Sequence, residues 1–249
     1  MTDLEIKPIP KTSMVDAAFD VLRSRILRGI LAPGDRLPAE QELARLLGVS
    51  RSTIREALNR LASANLIRIQ HGGSKIVLDY LEHAGLEVVP VLIEGSASEV
   101  DPSLVRSVTE LRNVITPDAA RLAAERASPE EIKKIRTYAD AMLVENQSLN
   151  ELTEGSLKFW KSIVLASGNL AYRLGFNSMV RSFVEDTDAF RPVIEEELRA
   201  GELYVGIAKA IQSGNAKQAA KKSHHLVSIG SDAILKIIDQ IQRAVVKAD

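Results

Sequence analysis

Arg51 and Arg55 stand about one helical turn apart in the run Ser50-Arg51-Ser52-Thr53-Ile54-Arg55. A guanidinium is a rigid planar fork of donors that suits the O6 and N7 acceptors of guanine, or a phosphate. Hydroxyls beside a helix N-terminus, with its free backbone N–H groups, suit phosphate oxygens. Such side chains need a scaffold, and the flanking residues supply one. Ile54, Ala57, Leu58 and Leu61 recur at three- and four-residue steps. They predict a helix over 51–64 whose other face carries Arg51, Ser52, Arg55 and Asn59. A shorter helix over 39–47 precedes it, with apolar Leu43, Leu46 and Leu47. Gly48 supplies the positive φ of a tight exit, and Ser50 caps the second helix. Two helices joined by such a turn form a helix-turn-helix. Leu66–Gln70 and Lys75–Leu78 read as strands about the turn His71-Gly72-Gly73-Ser74, a hairpin placed as the wing of a winged helix. Arginines on a helix face are usually just a solvated surface. The ordered set of turn glycine, capping serine, cationic first turn and glycine-tipped hairpin is what points to duplex DNA.

The whole chain has 249 residues, 45% hydrophobic and 26% charged, enough for two domains and a sizeable core. Its net charge of −1 is unevenly spread: residues 1–77 hold 12 Lys and Arg against 8 Asp and Glu, and residues 78–249 hold 20 against 25. A mildly basic head on an acidic body fits one nucleic-acid face beside a domain with other business. With no cysteine there is no disulfide, thiolate metal site, iron–sulfur ligation or thiol nucleophile. No signal peptide is read, because the N-terminal residues lack an apolar stretch, and no apolar run approaches membrane-spanning length, so a cytoplasmic protein without a membrane partner is expected.

The expected architecture is mainly α. A loose arm (1–12) opens a DNA-binding head over 1–78, a linker with a short helix covers 79–100, and an all-α antiparallel bundle of six or seven helices fills 101–249. In the head, Ser13 to Gly29 is helical with Val15, Ala18, Phe19, Leu22 and Ile26 on one face, and Arg36-Leu37 can be a short strand. In the bundle, Asp101-Pro102 and Ser128-Pro129 are helix starts, with a capping residue followed by proline in the first turn. The first of these helices runs to about Ala127, with Pro117 a kink or a break, and the second to about Asn146. Further helices are predicted over 149–166, 170–190, 192–213 and 216–247, with Gly201 dividing the third of these.

The residues Pro33-Gly34-x-x-Leu37-Pro38-Ala39-Glu40, Leu43-Ala44 and Gly48-Val49-Ser50-Arg51-x-Thr53-x-Arg55-Glu56-Ala57-Leu58 resemble the winged-helix head of GntR-type transcription regulators. Glu110-x-Arg112, Ala119-Ala120, Ala123-Ala124 and Ala166-Ser167-Gly168-Asn169 resemble the helical effector domain of the FadR subfamily. Ile69-Gln70-His71-Gly72 and Ala84-Gly85-Leu86 are similar to its fatty-acid-responsive members. The resemblance implies a homodimer on a palindromic double-stranded operator, a small acid or acyl effector such as a fatty acyl-CoA or a carboxylate, repression as the usual outcome, and no enzymatic activity. It places Arg51 and Arg55 on guanine edges, Ser50, Ser52 and Thr53 on phosphate or bases, and His71 with Gly72 at the wing tip in the minor groove. Gln41 stands where fatty-acid-responsive members carry an arginine, which leaves the operator open.

Many members of the subfamily hold a divalent metal with one Asp and three His. Here the matching positions are Ser156, Trp160 and Tyr204, and the four histidines of the chain are His71, His83, His224 and His225. Adjacent helical residues point about 100° apart, so His224 and His225 do not chelate one ion readily. No metal and no cofactor are expected on this ligand set. The resemblance instead implies a pocket with apolar walls, drawn from Phe159, Trp160, Tyr204, Tyr172 and Phe176, where Arg112 meets a carboxylate or phosphate, Ser156 replaces a ligand and His225 is a polar group. Each has a plainer reading: Phe159 and Trp160 as core, Arg112 paired with an acidic neighbour, His225 on the surface. Two other functions stay open: a constitutive DNA-bound dimer whose bundle only dimerises, and a metal-dependent carboxylate sensor. The C-terminal half offers no glycine-rich phosphate loop, no G-x-S-x-G elbow and no nucleophile–base set for an enzyme.

Overall fold

The apolar residues spaced three and four apart after Arg51 fold as expected into a helix that buries Ile54, Ala57, Leu58 and Leu61. A computed structural model describes residues 14–70, 73–89, 92, 101–184 and 191–246, and divides into two units between Leu92 and Ile93. Among the described residues the fold is mainly α, with eleven α-helices and one two-stranded sheet.

In the first unit, α1 (Met14–Leu27) lays Ala18, Leu22 and Ile26 against α3 (Arg51–Ser63). Between them α2 (Glu40–Leu47) ends on Gly48, left-handed at φ 65° and donating its N–H to Ala44 O. Side chains favour that region poorly, so glycine there sets the angle at which α3 departs. Of the three leucines on α2 only Leu43 is buried; Leu46 is 58% exposed, because its position lies about 100° around the helix from Leu47. Strands β1 (Ile67–Ile69) and β2 (Lys75–Val77) pair antiparallel in the register Ile67 to Val77 and Ile69 to Lys75. Where the sequence allows a short strand at Arg36-Leu37, the structure has only a single bridge, from Arg36 to Ile76 on the other side of β2. Beyond the wing, α4 (Tyr80–His83) is capped by Asp79, and a 3-10 turn covers Leu86–Val88.

The second unit is a bundle of seven helices among the described residues: α5 (Pro102–Arg126), α6 (Pro129–Ala141), α7 (Leu149–Ala166), α8 (Leu170–Val184), α9 (Glu195–Arg199), α10 (Gly201–Gln212) and α11 (Ala216–Val246). Their starts are chemical. Asp101 accepts from the N–H of Ser103 at 2.8 Å, while Ser128 with Glu131 and Ser148 with Glu151 form two reciprocal capping boxes. Pro117 does not break α5. Proline costs a helix its i−4 hydrogen bond, but buried Ile115, Thr116, Ala119 and Ala120 hold both sides of it in the core. The predicted helix over 192–213 is divided, as Gly201 suggested: α9 ends at Arg199 and α10 starts at Gly201. A Cβ on Gly201 would fall 2.5 Å from the carbonyl oxygen of Met142, so only glycine lets α10 begin against the end of α6. That end comes at Ala141, five residues before the predicted Asn146. Phe159, Trp160 and Tyr204 stack edge-on at the centre, with Phe159 5.1 Å from Trp160 and 5.0 Å from Tyr204 between ring centroids. Among the described residues no helix is long and apolar enough to cross a membrane.

Candidate nucleic-acid interface and bundle cavity

Arg51 at the start of α3 and Arg55 one turn on have side chains 66% and 59% exposed, and both turn back to one carboxylate, Glu40 at the start of α2. Arg51 Nε donates to Glu40 Oε2 at 3.3 Å, and Arg55 donates to the same oxygen through Nη2 at 3.2 Å and Nε at 3.3 Å. Lys75, buried at the start of β2, takes the other oxygen at 3.1 Å. One residue thus ties the first helix of the motif, the second helix and the wing. Three cations surround a single carboxylate, which keeps the face positive while fixing where its forks start. The arrangement also answers a local problem, since arginines in a helix's first turn oppose the positive end of its dipole.

Burial works against the Glu40 charge, but Lys75, Arg55 and Arg51 outweigh it, and its pKa falls from the usual 4.5 to about 2. A depressed carboxylate contributes stability above its unfolded pKa that is lost as pH falls through the folded one. Glu40→Gln is therefore expected to flatten the head's stability curve between about pH 4.5 and 2. The check is urea unfolding at stepped pH, and a variant that follows the wild-type curve would remove Glu40 from that role.

The hydroxyls gather at the same helix end. Ser50 caps α3 by accepting the N–H of Thr53 at 3.1 Å, and its Oγ lies 2.8 Å from both Ser52 Oγ and Thr53 Oγ1. Gln41 is exposed on α2, beside Glu40 in the chain. His71 and Gly72 lie outside the described residues. Glu56 pairs with Arg60 at 3.1 Å, four residues on, and Arg60 also holds Asp16 of α1. Asn59 is exposed on the same helix.

In the bundle, α5, α7, α8, α9 and α11 line a partly open cavity of about 130 Å³. Arg112, Ser156 and Trp160 line it, with Phe176, Met179, Leu198 and Ile234 among its apolar walls. Tyr204 is not on the wall. It is fully buried behind it and donates its hydroxyl to Ser156 Oγ at 3.0 Å. Burial first, and then the nearby Glu197 charge, pushes that hydroxyl's pKa well up. Tyr172 is also off the wall, its hydroxyl donating to Asp118 at 3.0 Å. His225 is exposed on α11 and away from the cavity. Arg112 has an acidic partner: it is bonded to Glu197 of α9, which is 1% exposed. Burial works against both charges. At Arg112 contact with the Glu197 carboxylate more than offsets it and raises the guanidinium pKa, while at Glu197 burial pushes the carboxyl pKa up against the pull of Arg112. The direct contact between the two groups is what keeps the pair ionised. Among the described residues no three His, Cys, Asp or Glu side chains come together as metal ligands would.

Glu40, Lys75 and Glu197 were not singled out in the sequence. Glu40 stands in a motif but is one acidic residue in a helix's first turn, where acids are common for dipole reasons alone. Glu197 ends the run Glu195-Glu196-Glu197, which reads as solvated surface.

A helix-turn-helix with a two-stranded wing and a cationic second helix, followed by an all-helical unit, defines a DNA-binding regulator, and the comparisons agree. Residues 15–77 match the model for bacterial regulatory proteins of the gntR family, and residues 107–228 match the FCD domain. The chain belongs to the GntR family of DNA-binding transcriptional regulators, with an FCD effector domain. It is 31% identical to the HTH-type transcriptional regulator Mce2R of Mycobacterium tuberculosis over 94% of this chain and 97% of that protein. It is 30% identical to the fatty acid metabolism regulator protein of Pectobacterium carotovorum over 69% of this chain and 75% of that one. A solved structure of Lar, a protein that controls expression of the Listeria monocytogenes agr system, shares the fold with a TM-score of 0.60 at 17% identity, covering 92% of this chain and 99% of that chain. The relatives and families are transcriptional regulators, not enzymes.

Proposed function

We propose that this protein is a cytoplasmic repressor that binds a palindromic operator as a homodimer and leaves it when a small acid or acyl ligand enters the bundle cavity. Residues 1–78 are the reading head and 101–249 the sensing and dimerising part. The observation that carries the reading is the exposed Arg51–Arg55 pair held on Glu40. Its chemistry suits direct readout of guanine in the major groove, with the hydroxyls of Ser50, Ser52 and Thr53 at the neighbouring phosphates and Gln41 close by. The wing takes the adjacent minor groove, the role that the family resemblance gives to His71 and Gly72. Repression is the reading taken, since an operator-bound dimer obstructs polymerase more easily than it recruits it.

The cavity supports the sensing half. It has apolar walls and few polar groups, as ligand sites do, but at about 130 Å³ it is near the size that takes benzene and below the usual range of pockets for larger ligands. That favours a short acyl chain over a long one unless the walls part. The test is a titration of the duplex that the protein selects from a randomised pool, with and without small carboxylates and acyl-CoAs of graded length. Coupled sites commonly shift affinity by roughly 5–150-fold, and a shift in that range is expected for the short members. If no compound moves either operator affinity or melting temperature, the constitutive dimer replaces this reading.

A further inference from the structure

Arg112 is the obvious anchor for an acidic ligand, yet its charge is already met from inside the protein. Glu197 is packed tightly, though only one of its two oxygens has a hydrogen-bond partner among the described residues. Its residue is 1% exposed, one carboxylate oxygen is bonded to Arg112, and the other lies so close to the α11 backbone that a Cβ on Gly230 would fall 2.2 Å from it. The carboxylate therefore has a seat that exists only because position 230 is glycine, and no room to withdraw toward α11. Both members of the pair line the cavity. A ligand carboxylate placed at Arg112 would set two buried anions against one guanidinium, and like charges sharing a buried site cannot both stay ionised cheaply. Trp160, on the same wall, is 5% exposed and its indole N–H has no hydrogen-bond partner among the described residues. An indole N–H is a donor only, so any ligand acceptor completes it, and beside Glu197 a neutral one such as an amide, ester or thioester carbonyl does so without adding a second buried anion.

We propose that Glu197 sets the class of ligand the cavity takes: a small uncharged molecule with an apolar body and a single neutral acceptor head, in preference to a free carboxylate or phosphate. This rests on the bundle being the sensing part. It divides the acyl ligands of that reading from the acids, and it makes Glu197 a specificity-determining residue that acts by occupying the position a ligand anion would need.

The probes are hexanamide and hexanoate, which match in shape and differ in charge. The protein is the full chain, and the measurements are calorimetric binding and melting temperature at neutral pH. Wild type is expected to bind hexanamide at least about tenfold more tightly than hexanoate, each tenfold being 1.4 kcal/mol. In Glu197→Gln the guanidinium is left without a counter-charge and the preference reverses, with hexanoate the tighter ligand. Should the variant prove too unstable for calorimetry, hexanoate becomes its own readout: it should raise the melting temperature of Glu197→Gln and leave that of wild type unmoved. Equal binding of both probes to wild type overturns the proposal, and so does a preference that Glu197→Gln does not change. The latter is also what an anion held at Arg191 would give; this second arginine of the wall donates to Asn150 at 2.8 Å. Absence of binding by both chains to both probes overturns it as well. Operator affinity separates this from the broader reading. Hexanamide that binds without moving DNA affinity leaves the ligand class intact and removes the ligand-responsive switch.

Discussion

Arg55→Ala is expected to lower affinity for the selected operator by about 1–3 kcal/mol, roughly 5–150-fold, while affinity for scrambled duplex falls far less. The difference between the two duplexes is the informative quantity. A phosphate contact contributes equally to any sequence, so losing one weakens binding uniformly and lowers the salt slope by about one. A fork on a guanine edge contributes only where the guanine stands. The fold should survive, because the Arg55 side chain is 59% exposed and Glu40 keeps Arg51 and Lys75 when Arg55 is gone. Fluorescence anisotropy on both duplexes at two salt concentrations decides it. An equal loss on operator and scrambled DNA would make Arg55 a phosphate contact and move base reading elsewhere on α3.

Arg112→Ala should destabilise the bundle by about 3–5 kcal/mol at neutral pH, the usual consequence of removing one partner from a buried ion pair. The loss comes less from the missing attraction than from the Glu197 carboxylate left buried without a counter-charge. Two features of the unfolding data would identify that cause. The deficit should shrink as pH is lowered, because Glu197 can then take up a proton in place of its lost partner. The double variant Arg112→Ala/Glu197→Ala should be more stable than Arg112→Ala alone, since it removes the stranded charge together with the pair. A deficit below about 1 kcal/mol, in the range of exposed pairs, would mean that solvent reaches the cavity freely enough to screen Glu197.

What the sequence determined by itself was everything set within a turn or two of the chain. The apolar spacing of Ile54, Ala57, Leu58 and Leu61, the left-handed glycine at 48 and the serine cap at 50 specify a helix-turn-helix, because each acts through hydrogen bonds or side chains a few residues away. The same holds for the bundle, where the helix Leu149–Ala166 has the predicted ends and the Ser128 start is the predicted one. Local rules failed where packing overrode them. Pro117 stays within α5 because the core on either side of it outweighs one lost hydrogen bond, and Leu46 is left outside because α2 is too short and too narrow-faced to bury three leucines.

The tertiary structure alone decided which charges meet. Glu40 lies 11, 15 and 35 residues from Arg51, Arg55 and Lys75, and Arg112 lies 85 from Glu197. No periodicity encodes such distances, since an acid and a base far apart in sequence look the same whether solvated singly or joined inside. The same closure placed Ser156 and Trp160 on the cavity wall, put Tyr204 behind it, and left His225 in solvent. Helices are written residue by residue, but a buried ion pair exists only once two helices have been brought together and water has been excluded from between them.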